Sequence, residues 1–228
     1  VARNGVIEPR VIKEYEGKAR GTLNVRWIEH EDFALKAGGR RANVINIIPN
    51  QIVTRATVET VKQDGGYVSS DMDRDILKIA VIERHMASGR VALGLVRGFG
   101  LKKGAIASSV SHDSHNIVVI GTHDGDMYTA AVQVVKMQGG IVAALNGQIL
   151  EALPLPVAGL MSDRSAEFVR EKQKRLNEIA KMLGSKIDDP FMAMSFLTLP
   201  PIPEIRITDR GLIDAVKFKV TPLFVKGK

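Results

Sequence analysis

The spacing of apolar residues along the chain predicts several strands. The apolar and β-branched runs typical of strands cover residues 43–48, 51–61, 75–84, 90–97 and 117–120. Two further runs, residues 141–145 and 148–152, flank Asn146-Gly147. Because Asn-Gly is the preferred pair for a two-residue turn, these runs predict a hairpin.

Helical spacing predicts two helices. In residues 127–137 the apolar positions lie on one face, after a cap region at residues 122–124. A longer helix is predicted to begin at a cap formed by Ser162 or Asp163 and to end near Leu183, before Gly184.

Proline marks two segments that we expect to be irregular. Residues 153–156 alternate leucine and proline, so we expect them to leave the sheet. Residues 190–203 combine Met, Phe and Leu with proline, which favours a wall or lid over a regular element. Residues 153–161 and 190–203 are expected to form a contact face for a neighbouring domain or subunit or for a second copy of this domain. The whole pattern predicts an α+β fold, with a mostly antiparallel or mixed sheet and two to three helices.

Composition excludes several classes of site. The chain has 228 residues and no cysteine, so it has no disulfide, no thiolate metal site and no cysteine nucleophile. This fits a reducing compartment, and we expect a cytoplasmic location. No apolar run reaches the ~20 residues that span a bilayer, and the first residues lack a signal-peptide pattern, so no membrane partner is expected.

The positive charge raises nucleic acid as a partner. The net charge is +7, but its densest patch, residues 164–181, is interspersed with glutamates, and aromatic residues make up only 5%. Without aromatic residues among the basic ones there is no stacking platform for bases, so nucleic-acid binding is not predicted.

The densest chemistry lies in residues 112–116, which read His-Asp-Ser-His-Asn just before the apolar run 117–120. So many polar groups are expected in a turn or at a strand end rather than inside a strand. One interpretation is a solvated turn that merely starts the strand. A second is a loop that binds and encloses a substrate. A third is a metal site, for which His85 or His123 would have to add a ligand.

Several segments together resemble a known family. The run GFGLKKGAIASSVSHDSHNIVVIG at residues 98–121 resembles the C-terminal region of bacterial and archaeal adenine deaminases of the amidohydrolase superfamily. The other matching segments follow in order with similar spacing and are residues 73–75, 81–84, 153–162, 196–203 and 208–214.

The resemblance implies a division of the chain. In that family a metal-binding barrel with a His-x-His pair precedes this region, and this chain contains no His-x-His. Residues 1–21 resemble the tail of a preceding β domain and a linker, and residues 22–228 resemble the C-terminal domain. The complete enzyme would convert adenine and water to hypoxanthine and ammonia, in purine salvage or adenine catabolism, by attack of a metal-bound hydroxide at C6.

The resemblance also implies partners and site residues. A divalent metal (manganese, iron or zinc) would be held mainly by the barrel, and this chain would contribute no catalytic residue and be inactive alone. His112, Asp113, His115 and Asn116 are the candidates for a substrate-binding or supporting loop. The expected partners are adenine, an amidohydrolase barrel domain or subunit, and further copies in a homo-oligomer. The alternative is a non-catalytic interaction or regulatory module that pairs with a separate barrel.

Overall fold

A mixed eight-stranded sheet dominates the computed structural model, which describes residues 2–3, 6–7 and 19–225. The helices are α1 (Asp124–Lys136), α2 (Ala166–Met182) and α3 (Pro190–Phe196), with a 3-10 turn at His30–Phe33. The strands are β1 (Ala2–Arg3), β2 (Val6–Ile7), β3 (Arg41–Ile47), β4 (Thr54–Thr60), β5 (Gln63–Asp64), β6 (Tyr67–Val68), β7 (Ile76–Ile82), β8 (Val91–Arg97), β9 (Ala105–Ser108), β10 (Ile117–Gly121), β11 (Gly140–Leu145), β12 (Gln148–Pro154), β13 (Ile205–Thr208), β14 (Gly211–Asp214) and β15 (Lys219–Thr221). The predicted α+β class is confirmed.

The main sheet has the strand order β12-β11-β9-β10-β7-β8-β3-β4. Its neighbouring strands are antiparallel except β3 and β8, which are parallel. Every residue of the central strands β7 and β10 is buried, which explains their almost unbroken apolar sequences.

Both faces of the sheet are covered. Helix α1 and the segment around Ile28 and Phe33 pack on one face through an apolar cluster. Helices α2 and α3 pack on the other face, together with Ile207 and Leu212 of the small sheet β13-β14-β15. The domain therefore has three layers, with the sheet as the middle one.

One end of the main sheet collects several loops, and we call it the histidine end. Strand pairing places Ile82, Ser108, Ile117, Gly140 and Pro154 at this end. The loop between β9 and β10, residues 109–116, therefore lies beside the loop after β7 and the turn after β12.

Most predicted elements are present. The expected strands correspond to β3, β4, β7, β8 and β10, the Asn146-Gly147 hairpin joins β11 to β12, and the expected helices correspond to α1 and α2. Gly184 has a φ of 113° after the helix-ending Leu183, as the sequence predicts. Strand β9 and the sheet β13-β14-β15 were not predicted from the sequence.

Both predictions drawn from proline need correction. Pro154 stays in β12, opposite Gly140, because β12 is an edge strand and needs hydrogen bonds on one side only. Segment 190–203 begins with α3, a regular helix with Pro190 in its first turn and the Asp189 side chain accepting from the Met192 N–H. Proline is favourable at that position because the missing N–H has no partner there anyway.

The apolar side chains of residues 153–161 and 190–203 are also mostly buried. Leu153, Leu155, Phe191, Met194 and Leu197 belong to the core. The exposed apolar side chains that remain are Met161, at 59% exposure, and Met192, at 50%. The contact face expected from these segments is thus reduced to a few residues.

The start of α2 also differs from the prediction. Ser165, rather than Ser162 or Asp163, is the N-cap, and its side chain accepts from the Phe168 N–H. Asp163 instead pairs with Arg20, at 2.7 Å. In the first 21 residues, β1 and β2 form a two-stranded antiparallel pair. Residues 8–18 of the predicted linker lie outside the described residues.

Candidate functional site

Residues 111–116, which we call the histidine loop, are fastened to the end of α3. The His112 N–H donates to the Ser195 carbonyl at 3.0 Å. The Thr198 hydroxyl donates to the His112 carbonyl at 2.8 Å and lies 2.7 Å from the Ser111 hydroxyl. The loop's backbone is therefore held by residues more than 80 positions away in the sequence.

The side chains of His112 and His115 are half-buried and lie next to each other. Their ring centroids are 5.6 Å apart, and the His112 ring also packs on Phe196 at 4.9 Å. Aromatic contact on one side and the neighbouring imidazole on the other leave the His112 ring little freedom.

The surroundings of His115 favour its neutral form. Burial lowers the pKa of His115, and the nearby His112 and Arg84 lower it further, against an opposing effect of Asp113. The Ser111 N–H donates to Nδ1 of His115 at 3.3 Å. In the neutral ring the proton therefore resides on Nε2, which makes His115 a hydrogen-bond donor at that atom.

Asp113 and Ser114 form the exposed tip of the loop. The Ser114 carbonyl accepts from Nε2 of His85 at 2.6 Å, so His85 supports the tip from the neighbouring loop after β7. The loop thus carries an exposed carboxylate, on Asp113, and a hydrogen-bond donor, Nε2 of His115, two residues apart in the sequence.

Asn116 plays a different part, because it is buried and both ends of its amide are engaged. Its Oδ1 accepts from the Arg84 N–H, and its Nδ2 donates to Oδ1 of Asp209, each at 3.3 Å. Asp209 in turn pairs with Arg90 at 2.6 Å. Asn116 joins β7, β10 and the turn between β13 and β14.

Two buried charged residues that sequence reasoning did not single out complete this end of the sheet. Glu83 and Arg84 directly follow the last residue of β7, Ile82. The signal that could have found them is a pair of charges directly after a fully apolar strand, where the chain leaves the core.

Glu83 organises the loop after β7. Burial raises the pKa of its carboxyl, but hydrogen bonds from the Ser88 hydroxyl and from the backbone N–H groups of His85, Ser88 and Met86 outweigh that effect and bring the pKa to about 2. The carboxylate is therefore ionised at neutral pH and shapes the loop that carries His85.

Arg84 connects the histidine loop to the turn after β12. Its Nε donates to the His115 carbonyl, and its Nη2 donates to the Ala158 carbonyl at 3.0 Å. The same residue's backbone carbonyl accepts from the Asn24 N–H at 2.8 Å. Burial lowers the pKa of its guanidinium.

The described residues do not supply a recognisable metal site. Within residues 19–225 no group of three or more His, Asp or Glu side chains is arranged to hold an ion. His85 approaches the histidine loop, but His123 precedes α1 at the opposite end of β10. The donors of the described residues therefore do not fit the divalent metal that the resemblance implies.

A family model described as the adenine deaminase C-terminal domain matches residues 51–219. The chain belongs to this family. It is 53% identical over 193 residues to an adenine deaminase of Desulfatibacillum aliphaticivorans, covering 85% of this chain and 34% of that protein. It is 47% identical over 230 residues to an adenine deaminase of Methanothrix thermoacetophila, covering 99% of this chain and 40% of that protein.

A relative named adenine deaminase from Brucella abortus is 43% identical over 200 residues, covering 88% of this chain and 34% of that protein. The chain thus spans between a third and two fifths of the length of these relatives.

None of the helices within the described residues has the length and apolar character needed to cross a membrane.

Proposed function

We propose that this chain is the C-terminal domain of an adenine deaminase whose complete form converts adenine and water to hypoxanthine and ammonia. The observation that carries the proposal is the family match over residues 51–219, together with relatives of that name at 43–53% identity. We further propose that the complete enzyme acts in the cytoplasm, in purine salvage or adenine catabolism. A divalent manganese, iron or zinc ion held by the barrel would supply the activated water.

Within that enzyme, the histidine loop would bind the purine and exclude water from the reacting centre. Adenine carries both hydrogen-bond donors and acceptors on its edge. The neutral His115 offers a donor at Nε2, and the exposed Asp113 offers acceptor oxygens. The two are adjacent in a loop that is fastened to α3 at several points, which supports a site with preset geometry.

The other two candidate residues would act in support. The His112 ring packs between His115 and Phe196, so it would hold the imidazole of His115 in place. Asn116 is buried, with its amide engaged at both ends, so it would anchor the loop to β7 rather than contact the base.

The test is kinetic and uses the complete enzyme that carries this domain. We expect Asp113→Ala and His115→Ala each to lower kcat/KM for adenine by roughly thirty- to a thousand-fold, since losing a directed hydrogen bond that strengthens in the transition state costs on the order of 2–4 kcal/mol. Ser114→Ala is the matched control, because Ser114 lies at the same exposed tip and should leave the rate nearly unchanged.

Thermal midpoints measured on the same variants separate a direct role from a structural one. Asp113 is exposed, so its replacement should shift the midpoint by only a few degrees. If His115→Ala and Asp113→Ala melt early but turn over adenine normally when folded, residues 111–116 form a structural turn and the substrate-binding role is wrong.

The second candidate function is a non-catalytic interaction or regulatory module that pairs with a separate barrel. The observation that favours it is the exposure of Met86, at 75%, and Met161, at 59%, both in segments next to Arg84 at the histidine end. Exposed methionines are adaptable contact residues at interfaces. Unchanged kinetics in the Asp113 and His115 variants, combined with lost barrel binding in Met86→Lys, would favour this alternative.

A further inference from the structure

The histidine loop contains backbone that needs outside support. His115 has a φ of 51°, and Ala158, in the neighbouring turn after β12, has a φ of 58°. Residues with a Cβ seldom adopt these left-handed conformations, because the side chain crowds the following carbonyl. Such a residue persists where its surroundings hold it, and functional sites are where this is most often seen.

A single side chain holds both of these residues. The Nε of Arg84 donates to the carbonyl of His115, and its Nη2 donates to the carbonyl of Ala158. Gly159 permits this approach, because a Cβ at that position would lie 2.7 Å from Nη1 of Arg84. The guanidinium thus lies between the two strained residues and bonds to each.

Arg84 is also an unusual residue to bury. It is 2% exposed, and the ion pairs formed among residues 19–225 do not include it. Burying a cation without a carboxylate is costly, so its hydrogen bonds to carbonyls must compensate for the lost water. An apolar residue would avoid that cost if the position served packing alone.

We propose that Arg84 is a positioning residue, whose planar guanidinium fixes the histidine loop against the turn at residues 155–161 and thereby aims the His115 imidazole. The inference rests on the proposed function in so far as the loop serves substrate. Lysine cannot replace it, because an ammonium group lacks the rigid fork that meets two carbonyls at once.

The first test reads the His115 ring directly in the 228-residue chain by nitrogen-15 NMR of the imidazoles. In the unmodified chain we expect one neutral tautomer for His115, with the proton on Nε2, because Nδ1 accepts from Ser111. In Arg84→Lys we expect averaged shifts of both tautomers. Unchanged His115 signals in a folded Arg84→Lys chain would overturn the proposal, whatever the activity.

Arg206→Lys is the matched control. Arg206 is also fully buried, and within the described residues it also donates only to backbone carbonyls, those of Ile52, Ile202 and Pro203. None of these partners belongs to the histidine loop, so its replacement should lower the thermal midpoint and leave the His115 signals unchanged. If Arg206→Lys alters His115 equally, the effect is general loosening and the proposal fails.

A rescue variant covers the case in which Arg84→Lys does not fold. Glycine adopts positive φ without steric cost, so adding Ala158→Gly relieves the neighbouring turn and should restore folding. The carbonyl of His115 still lacks the guanidinium in that double variant. His115 is therefore expected to show averaged tautomers there too, and a single fixed tautomer in the rescued chain would overturn the proposal.

The second test measures kinetics in the complete enzyme. We expect Arg84→Lys to lower kcat/KM for adenine at least ten-fold, and Arg84→Lys combined with His115→Ala to lower it no further than His115→Ala alone, because both act through the same imidazole. If the double variant instead loses activity by the product of the two single losses, Arg84 acts by another route and the proposal is wrong. If neither single variant loses activity while the NMR change occurs, the positioning role holds and the substrate-binding function of the loop is wrong.

Discussion

At the scale of single residues, Glu83 gives the histidine end a dependence on pH. Its carboxyl has a pKa of about 2 in the folded chain, against an ordinary value of 4.5. A carboxyl whose pKa is lowered by folding stabilises the fold above its ordinary pKa, and this contribution disappears as the pH falls through the folded value. The difference corresponds to roughly 3 kcal/mol at neutral pH.

We therefore expect Glu83→Gln to lower the free energy of unfolding by about 2–3 kcal/mol at pH 7 and to reduce its fall between pH 4.5 and 2. Urea unfolding at a series of pH values measures both. The matched control is Glu178→Gln, an exposed residue of α2, which should change stability by less than about 0.5 kcal/mol. A parallel loss at every pH would contradict the assigned role of the Glu83 ionisation.

The residues of the histidine loop show how far the sequence alone reaches. Five consecutive polar residues before an apolar run are enough to predict a turn at a strand end, and the structure confirms that placement. Which loop residues are exposed and which are held by hydrogen bonds to distant residues could not be predicted. Asn116 is engaged by Arg84 and Asp209, and such distant partners have no local pattern in the sequence.

At the scale of elements, the start of α2 depends on which of several neighbouring cap residues binds the first helical N–H groups. Ser162, Asp163 and Ser165 are all good cap residues, so spacing alone does not decide where α2 begins. The ion pair of Asp163 with Arg20 and the hydrogen bond from Phe168 to the Ser165 side chain decide it. The Arg20 contact lies 143 residues away and could not be foreseen.

We expect Ser165→Ala to destabilise the chain by about 1 kcal/mol, because it leaves a helix N–H without its partner. Ser162→Ala, three residues earlier, should cost less, since among the described residues the Ser162 hydroxyl accepts only from the exposed Arg164 N–H. Thermal unfolding of the two variants compares them under one condition. A larger loss in Ser162→Ala would mean that the helix begins where the sequence pattern first placed it.

Two elements differ from expectation because the effect of a proline on a strand or helix depends on where it lies in the folded structure. Pro154 is compatible with β12 because that strand is an edge of the sheet, and Pro190 is compatible with α3 because it lies in the first turn. Whether a strand is central or at an edge is a property of the assembled sheet. The alternating prolines of residues 153–156 do not reveal it.

At the scale of the whole molecule, the domain concentrates its loop chemistry at one end of the sheet. The histidine loop, the loop after β7 with Glu83 and Arg84, and the turn at residues 155–161 meet there. The first residues of the continuous described segment also run along this end, where the Ala19 carbonyl accepts from the Ala158 N–H at 2.5 Å. The relatives are about two and a half times as long as this chain, and under the proposed function we expect this end to face the remainder of the enzyme.

That arrangement leads to a prediction about activity. Deamination of adenine by water needs an activated nucleophile, and under the proposed function the metal ion that prepares it is held by the barrel. We expect the purified 228-residue chain to show no adenine turnover with added manganese, iron or zinc. We expect it to restore turnover when mixed with a separately produced barrel portion of a relative, measured by ammonia release, and the Asp113→Ala chain to restore less. The opposite result would be turnover by the chain alone that scales with its concentration and disappears with a chelator. That result would contradict the assignment of the activated nucleophile to the barrel, because the nucleophile would then have to be generated on this domain.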